Sequence, residues 1–337
     1  MSKPLLPVLL ASLALFACEK KEAPAPAAAA PAAAKRIAVV PKGTTHEYWK
    51  SIHAGALKAE RELGGITITF RGPEKEDDRE QQIGLVQNLI ATGYDAIVLA
   101  PLDNRALVGP VRQAASAGIP VVIMDSGVEA EAGKDFVSFV ATDNEEGGRL
   151  AGRKMVELMK GKASPKVLIL RYQEGSASTA LRERGFVDAM AAAPEVQLID
   201  PKRYAGATRA TAQEAAENLL GANADIAGVF CPNESSTFGM MLALRSRKLA
   251  GKVVFIGFDS SKELVDAMRS GEIAALVVQN PIRMGYLAVK AAADHLAGKP
   301  VEARVDTGVV IVTRETMDAQ ENKDLLSPDL DALLGNK

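Results

Sequence analysis

The feature that most constrains this chain is a rhythm. From Lys35 onward, short apolar runs alternate with longer amphipathic ones. Ile37-Ala38-Val39-Val40, Ile66 to Phe70, Ala96 to Leu99 and Val121 to Met124 read as strands. Between them, three segments read as helices: Tyr48 to Leu63, a stretch capped by Asp77 or Asp78 with Ile83, Val86, Leu89 and Ile90 on one face, and Leu107 to Gly118. The rhythm then restarts. A helix runs from Asp143 through Met159, a strand from Val167 to Leu170, and helices from Ser178 to Ala192 and Thr208 to Leu220. Ile226 to Phe230, Val253 to Ile256, Ala274 to Val278 and Val309 to Val312 are strands, with helices over Phe238 to Leu249 and Pro281 to Ala297. Strands that are apolar throughout must be covered on both faces, which means parallel sheets flanked by helices. The fold class is therefore α/β, with two doubly wound parallel-sheet lobes in tandem. The 337-residue chain is long enough for two such cores.

The first residues follow another pattern. Lys3 precedes an apolar run from Leu5 to Phe16, which ends at Leu15-Phe16-Ala17-Cys18. A charged start, a short apolar core and small residues before a cleavage point mark an export signal. The terminal cysteine points to a lipoprotein signal over residues 1–18, with Cys18 as the lipidated residue; an ordinary cleaved signal is the alternative. The run is too short for a spanning helix, which needs roughly 20 apolar residues. Residues 19–35, nearly all Ala, Pro, Glu and Lys, cannot bury a core and read as a flexible Ala/Pro tether. The expected location is periplasmic or extracytoplasmic, with contact to the membrane through the lipid anchor only.

Composition removes several function classes. The apolar fraction is 47%, the charged fraction 24% and the formal net charge −2, or −3 once Lys3 leaves with the signal. No basic block stands out, so no nucleic-acid partner is expected. Lipidation of Cys18 leaves Cys231 without a disulfide partner, and Cys231 follows a buried strand as a small core residue. His46, His53 and His295 are too few and too scattered for a metal site. The chain has no phosphate loop, nucleophile elbow or dinucleotide fingerprint after the first strand, so no cofactor is expected. Asp125 and Asp259 could mimic a glycosidase carboxylate pair, but nothing supplies a general acid, and the chain does not read as an enzyme.

Ligands of open parallel sheets sit beyond the carboxyl ends of the strands. Those tips carry Pro41-Lys42-Gly43-Thr44-Thr45-His46-Glu47-Tyr48-Trp49, then Asp125-Ser126, Arg171 to Ser178, Pro232-Asn233-Glu234, Gly257-Phe258-Asp259-Ser260 and Gln279-Asn280-Pro281. Planar polar side chains pair with vicinal hydroxyls, and an aromatic face stacks on the C–H side of a sugar ring. The set suits a small polyhydroxylated molecule, a sugar or related polyol.

The ordered set resembles the periplasmic sugar-binding proteins of the ribose-binding type, relatives of the ligand-binding half of the Lac-repressor family. The residues that carry the resemblance include Tyr48-Trp49 before Gly55-Ala56, Ala96 to Pro101, Gly118-Ile119-Pro120-Val121-Val122, Asp143-Asn144 with Gly147-Gly148, Pro232-Asn233-Glu234 and Gly257-Phe258-Asp259. It runs from about Lys35 to about Glu315. It implies a monomer of two lobes, 36–140 plus 280–307 and 141–279 plus 308–326, joined by a three-crossover hinge. It also implies delivery of the sugar to an ABC transporter permease, or presentation of the closed form to a chemoreceptor or sensor kinase. Carried over by position, the ligand contacts are Lys42, His46, Tyr48, Trp49 and Asp125 on the first lobe and Asn233, Asp259 and the hinge residue Gln279 on the second. Arg182 joins them in one alignment; in another Ala180 takes its place. Ser126 replaces the arginine of ribose binders and the site near Ala207 is small, which argues against ribose itself. Pro41-Lys42 and Gly72-Pro73 are similar to autoinducer-2 receptors of the same superfamily.

Several of these residues have an alternative reading. Trp49, the only tryptophan, is either a stacking platform or a core filler. Lys42 is either a ligand contact or a solvated loop charge. Asp125, Asn233 and Asp259 also suit turns and caps, and Asp143 suits a helix N-cap better than a ligand contact.

Overall fold

The computed structural model describes residues 33–335. The expected signal, the expected lipidation residue Cys18 and most of the expected tether lie outside the described residues. The chain begins with β1 (Lys35–Val40), α1 (Glu47–Leu63), β2 (Ile66–Phe70), α2 (Arg79–Ala91), β3 (Ala96–Leu99), α3 (Val108–Ser116), β4 (Val121–Met124) and β5 (Ser138–Ala141). It continues through α4 (Asn144–Met159), β6 (Lys166–Ile169), α5 (Ala177–Ala191), β7 (Gln197–Ile199), α6 (Arg209–Ala222), β8 (Gly228–Phe230), α7 (Glu234–Ser246), β9 (Val254–Phe258), α8 (Lys262–Arg269) and β10 (Ala275–Gln279). It ends with α9 (Pro281–Leu296), β11 (Arg304–Asp306), β12 (Val309–Thr313), α10 (Gln320–Leu326) and α11 (Leu330–Leu334).

These strands form two six-stranded sheets, ordered β11-β5-β4-β3-β1-β2 and β12-β10-β9-β8-β6-β7. Each sheet defines a lobe, and the chain passes between them after β5, after β10 and after β11. Two crossings are tied together where Thr142 Oγ1 and Thr307 Oγ1 lie 3.2 Å apart. The central strands are buried on both faces, as their apolar runs require; Ile37 to Val40 and Ala96 to Leu99 are at most 1% exposed.

The structure departs from the all-parallel expectation at one edge, where β12 pairs antiparallel with β10. The short return from β11 leaves no room for a crossover helix, so the strand enters reversed. β5, β7, β11, α8, α10 and α11 were not legible from periodicity. The helix expected to start at Phe238 starts at Glu234, because its first turn, Glu234-Ser235-Ser236-Thr237, has no apolar period. Asp78 and Asp143 do cap their helices, accepting hydrogen bonds from Gln81 N at 2.9 Å and Glu146 N at 3.0 Å. Among the described residues Cys231 is free and fully buried.

Each lobe is pinned by one helix pair in backbone contact. A Cβ on Gly55 of α1 would lie 2.0 Å from the Ile282 carbonyl oxygen, and one on Gly285 of α9 would lie 2.2 Å from that of Ile52. The second lobe repeats the device: a Cβ on Gly148 of α4 would meet Arg182 O at 1.9 Å, and one on Gly185 of α5 would meet Glu145 O at 2.0 Å. Replacing a helical glycine by alanine ordinarily gains about 0.5–1 kcal/mol. Overpacking loses about 1–3 kcal/mol, and backbone cannot yield as a side chain does. The clash therefore wins, and Gly148→Ala is expected to lower Tm. Gly84→Ala, at an exposed helical position with nothing within 4 Å, should leave Tm unchanged or raise it. Equal shifts for the two variants in a thermal melt would contradict the close-approach argument.

Candidate functional site

The carboxyl ends of the two sheets face each other, and the loops beyond them meet. Ser178 N donates to Ser126 Oγ at 3.2 Å, Asn104 N to Gly175 O at 2.9 Å, and Gln173 Nε2 to Glu76 O at 2.9 Å. All three bonds join one lobe to the other.

On the first lobe, the loop after β1 carries Lys42 into the interior. It is 3% exposed, so the reading as a solvated charge is wrong. Its Nζ lies 3.1 Å from Asp125 Oδ2 and donates across the cleft to Ser178 Oγ at 2.9 Å. Asp125 follows β4 with φ 61°, a left-handed conformation that Asp tolerates better than most residues. That turn aims the carboxylate at the cleft, where Oδ1 accepts from Tyr48 OH at 2.8 Å. Tyr48 and Trp49 open α1 with rings 5.0 Å apart in an edge-to-face pair. Trp49 belongs to the lobe core, and its indole N–H donates to Glu76 Oε1 at 2.7 Å in the cavity wall.

Glu76 is the junction of this wall, and the sequence reading missed it. Besides Trp49, its Oε1 takes His46 Nδ1 at 2.6 Å, and its Oε2 accepts from Tyr172 OH at 2.8 Å, from the other lobe. Burial works against charge on both partners of the His46–Glu76 pair, but their mutual attraction is stronger. It raises His46 to about 9 and lowers Glu76 to about 2. A signal was available: the loop after β2 is also a strand tip, but a Glu among Arg, Lys and Asp looks like any solvated loop.

On the second lobe, Arg182 of α5 is buried with its guanidinium 3.9 Å from the Phe258 ring. It donates to Asn144 Oδ1 at 2.8 Å and Pro232 O at 3.0 Å, and lies 3.8 Å from Asp259 Oδ2. Ala180 is exposed, so space selects the alignment that places Arg182 at the cleft. Asp259 follows β9 with φ 67°, the counterpart of Asp125 after β4. Its Oδ1 accepts from Gln279 Nε2 at 2.6 Å, and its Oδ2 from Glu234 N at 3.0 Å, the first free amide of α7. Burial pushes Asp259 up to about 6; Arg182 and Gln279 oppose the rise, while Asp125 and Glu234 add to it. Asn233 lines the cavity, but its side chain turns to its own helix: Oδ1 accepts from Ser236 N at 3.3 Å and Nδ2 donates to Ser235 Oγ at 3.1 Å. Capping is its observed role.

All nine residues expected at the site line one cavity, together with Glu76, Tyr172, Ser178, Thr179 and Glu234. The free space among them is only about 30 Å³, room for little more than a water molecule. A larger cavity of about 630 Å³ adjoins it, shares Tyr48, Asp259 and Gln279, and is roofed by the C-terminal segment at Leu325–Asp331. We place the site in the smaller one, where the buried hydrogen-bonding groups converge. Among the described residues no group of His, Cys, Asp and Glu is arranged to hold a metal ion.

Two lobes linked by three crossings, with buried polar groups between facing strand ends, are the architecture of a cleft-binding protein. The sequence profile of the periplasmic binding protein domain family matches residues 37–300, and the chain belongs to that family. A D-ribose/D-allose-binding protein of Pseudomonas aeruginosa is 29% identical over 314 residues, which cover 90% of this chain and 97% of that protein. The ribose import binding protein RbsB of Bacillus subtilis is 31% identical over 269 residues, covering 80% of this chain and 84% of the relative. Among solved structures, an ABC transporter solute binding protein from Agrobacterium vitis with bound D-fucose is 37% identical, covers 86% of this chain and 99% of its own, and superposes with a TM-score of 0.83. A carbohydrate transporter solute binding protein from Agrobacterium radiobacter in complex with D-arabinose is 36% identical, with 88% and 100% coverage and a TM-score of 0.82. The ribose-binding type of resemblance therefore holds, and the family consists of binding proteins, not enzymes.

The His46–Glu76 pair gives a pH signature. A raised His46 contributes stability that is fully present below pH 6.5 and lost as pH rises through about 9. A lowered Glu76 contributes stability present above pH 4.5 and lost as pH falls through about 2. The His46 ring signal in an NMR titration should have its midpoint near pH 9, and Glu76→Gln should lower it, because burial then works against the charge with its main partner gone. His53, lowered by burial, should titrate below 6.5 in both proteins. A His46 midpoint at or below 7 in the unmodified protein would contradict the pairing.

Proposed function

We propose that this chain is an extracytoplasmic solute-binding lipoprotein, anchored through Cys18, that captures a sugar or related polyol between its lobes and delivers it to an ABC importer. The observation that carries the proposal is the convergence of Lys42, Tyr48, Asp125, Arg182, Asp259 and Gln279, all buried, at the facing ends of two sheets. Carboxylates, a guanidinium and an amide are the groups that pair with vicinal hydroxyls. The names of the relatives support the same reading, since those proteins are described with ribose, allose, fucose or arabinose. We take the lobes as 36–140 with 280–307 and 141–279 with 308–326, and the protein as a monomer. Among the described residues no helix is long and apolar enough to cross a membrane.

The mechanism follows from the cross-lobe bonds. A ligand shifts the lobes toward closure only through contacts to both of them. The first wall offers Asp125 and Lys42; the second offers Asp259 and Arg182, with Gln279 at the crossing. Closing the walls on each other already joins Lys42 to Ser178 and brings Tyr48 OH within 3.4 Å of Gln279 Oε1. A sugar takes over these partners, exchanging one set of hydrogen bonds for another. Selectivity then rests on matching every buried group, because an unmatched one is costly.

Calorimetric titration of D-ribose, D-allose, D-arabinose and D-fucose into the purified protein should give saturable binding of at least one of them. Asp259→Ala should weaken that sugar by about 2 kcal/mol, roughly thirtyfold. No binding by any of the four, or an unchanged affinity in Asp259→Ala, would sink the assignment.

A further inference from the structure

Four carboxylates are buried in the cleft: Glu76, Asp125, Glu234 and Asp259. Seven of their eight oxygens have a partner within the protein. Glu76 takes His46, Trp49 and Tyr172; Asp125 takes Tyr48 and Lys42; Asp259 takes Gln279 and the Glu234 amide; and Glu234 Oε1 takes the guanidinium of Arg209, whose Nε lies at 3.0 Å. The eighth, Glu234 Oε2, is buried with no hydrogen-bond partner among the described residues. Glu234 is 2% exposed and lines the same cavity as His46, Arg182 and Asp259. A carboxylate oxygen accepts hydrogen bonds and donates none, so a donor entering the cavity, water or a ligand hydroxyl, satisfies it. A buried acceptor left unmatched is unfavourable, and native structures rarely keep one without a role.

We propose that Glu234 is a ligand-contacting, specificity-determining residue whose free oxygen accepts a hydrogen bond from one hydroxyl of the bound sugar. The inference rests on the sugar-binding reading above and adds a residue to it. Charge favours a hydroxyl over an ammonium as the donor. The four carboxylates are matched by Lys42, His46, Arg182 and Arg209, each of which contacts one of them, so a neutral ligand leaves the cleft balanced. The fixed position also follows from the fold. Arg209, at the start of α6, grips Oε1, and the Glu234 amide at the start of α7 is held by Asp259, so the residue is anchored at both ends. It therefore discriminates through geometry rather than by adapting to whatever enters.

The test takes the tightest binder of D-ribose, D-allose, D-arabinose and D-fucose, with its mono-deoxy analogues, and measures each by calorimetry on the unmodified protein and on Glu234→Ala and Glu234→Gln. One analogue should lose at least tenfold in affinity on the unmodified protein. That same analogue and its parent should differ by less than threefold on Glu234→Ala, while the other analogues keep their penalties. Glu234→Gln, which keeps the shape, should still lose at least fivefold for the parent sugar. Equal weakening of every analogue in Glu234→Ala would overturn the proposal and leave Glu234 as a support for Arg209 and α7. Parent affinity within threefold of the unmodified protein would overturn it as well. Tighter binding of D-galactosamine than of D-galactose, by tenfold or more, would replace the hydroxyl with an ammonium. If the unmodified protein binds none of the four sugars, the sugar reading itself fails, and this result is distinct from a change confined to the Glu234 variants.

Discussion

The structure depends on keeping ionised groups buried where two sheets meet end to end. A carboxylate taken out of water without a partner is strongly unfavourable, so each one in the cleft must find a donor. Glu76 shows how this is done. It collects a histidine, an indole and a phenol, and the phenol of Tyr172 comes from the opposite lobe. Lys42 does the same in reverse, bound to Asp125 on its own lobe and Ser178 on the other. Closure is thus written in hydrogen bonds that a hydroxyl-rich ligand can exchange for its own. The one acceptor oxygen of the four carboxylates without a partner among the described residues marks where the exchange is not one for one.

The two lobes solve their local problems in the same way. Each has an aspartate in the left-handed region at the end of the third strand of its sheet order, Asp125 after β4 and Asp259 after β9. Each locks one helix pair with two glycines facing backbone, Gly55 of α1 with Gly285 of α9 and Gly148 of α4 with Gly185 of α5. The lobes differ in what they bring to the cleft. The first supplies two cations and an aromatic pair; the second supplies Arg182, the hinge amide Gln279 and the starts of α5 and α7. A ligand held by both therefore meets different chemistry on its two sides.

The fold was legible wherever burial was complete. β3 and β4 were read to the residue, because a strand covered on both faces is apolar from end to end. The edge strands β7 and β11, three residues each and partly exposed, carry no such run and could not be seen. The same logic governs the site. Asp125 and Asp259 stood out because each directly follows an apolar strand. Glu76 and Glu234 did not, because glutamates in loops and first helical turns are usually solvated. What buries them is the arrival of the other lobe, a contact between residues 96 positions apart in the case of Glu76 and Tyr172. Asn233 lines the cavity where the motif puts it, and its side chain also caps α7.

The most direct measurement is a crystal structure of the protein with the tightest-binding sugar. The account expects the ring between the lobes, with hydroxyls on Asp125, Asp259 and Arg182 and with the Lys42–Ser178 bond broken or lengthened. A sugar bound outside the cleft, with that bond intact at 2.9 Å, would contradict it.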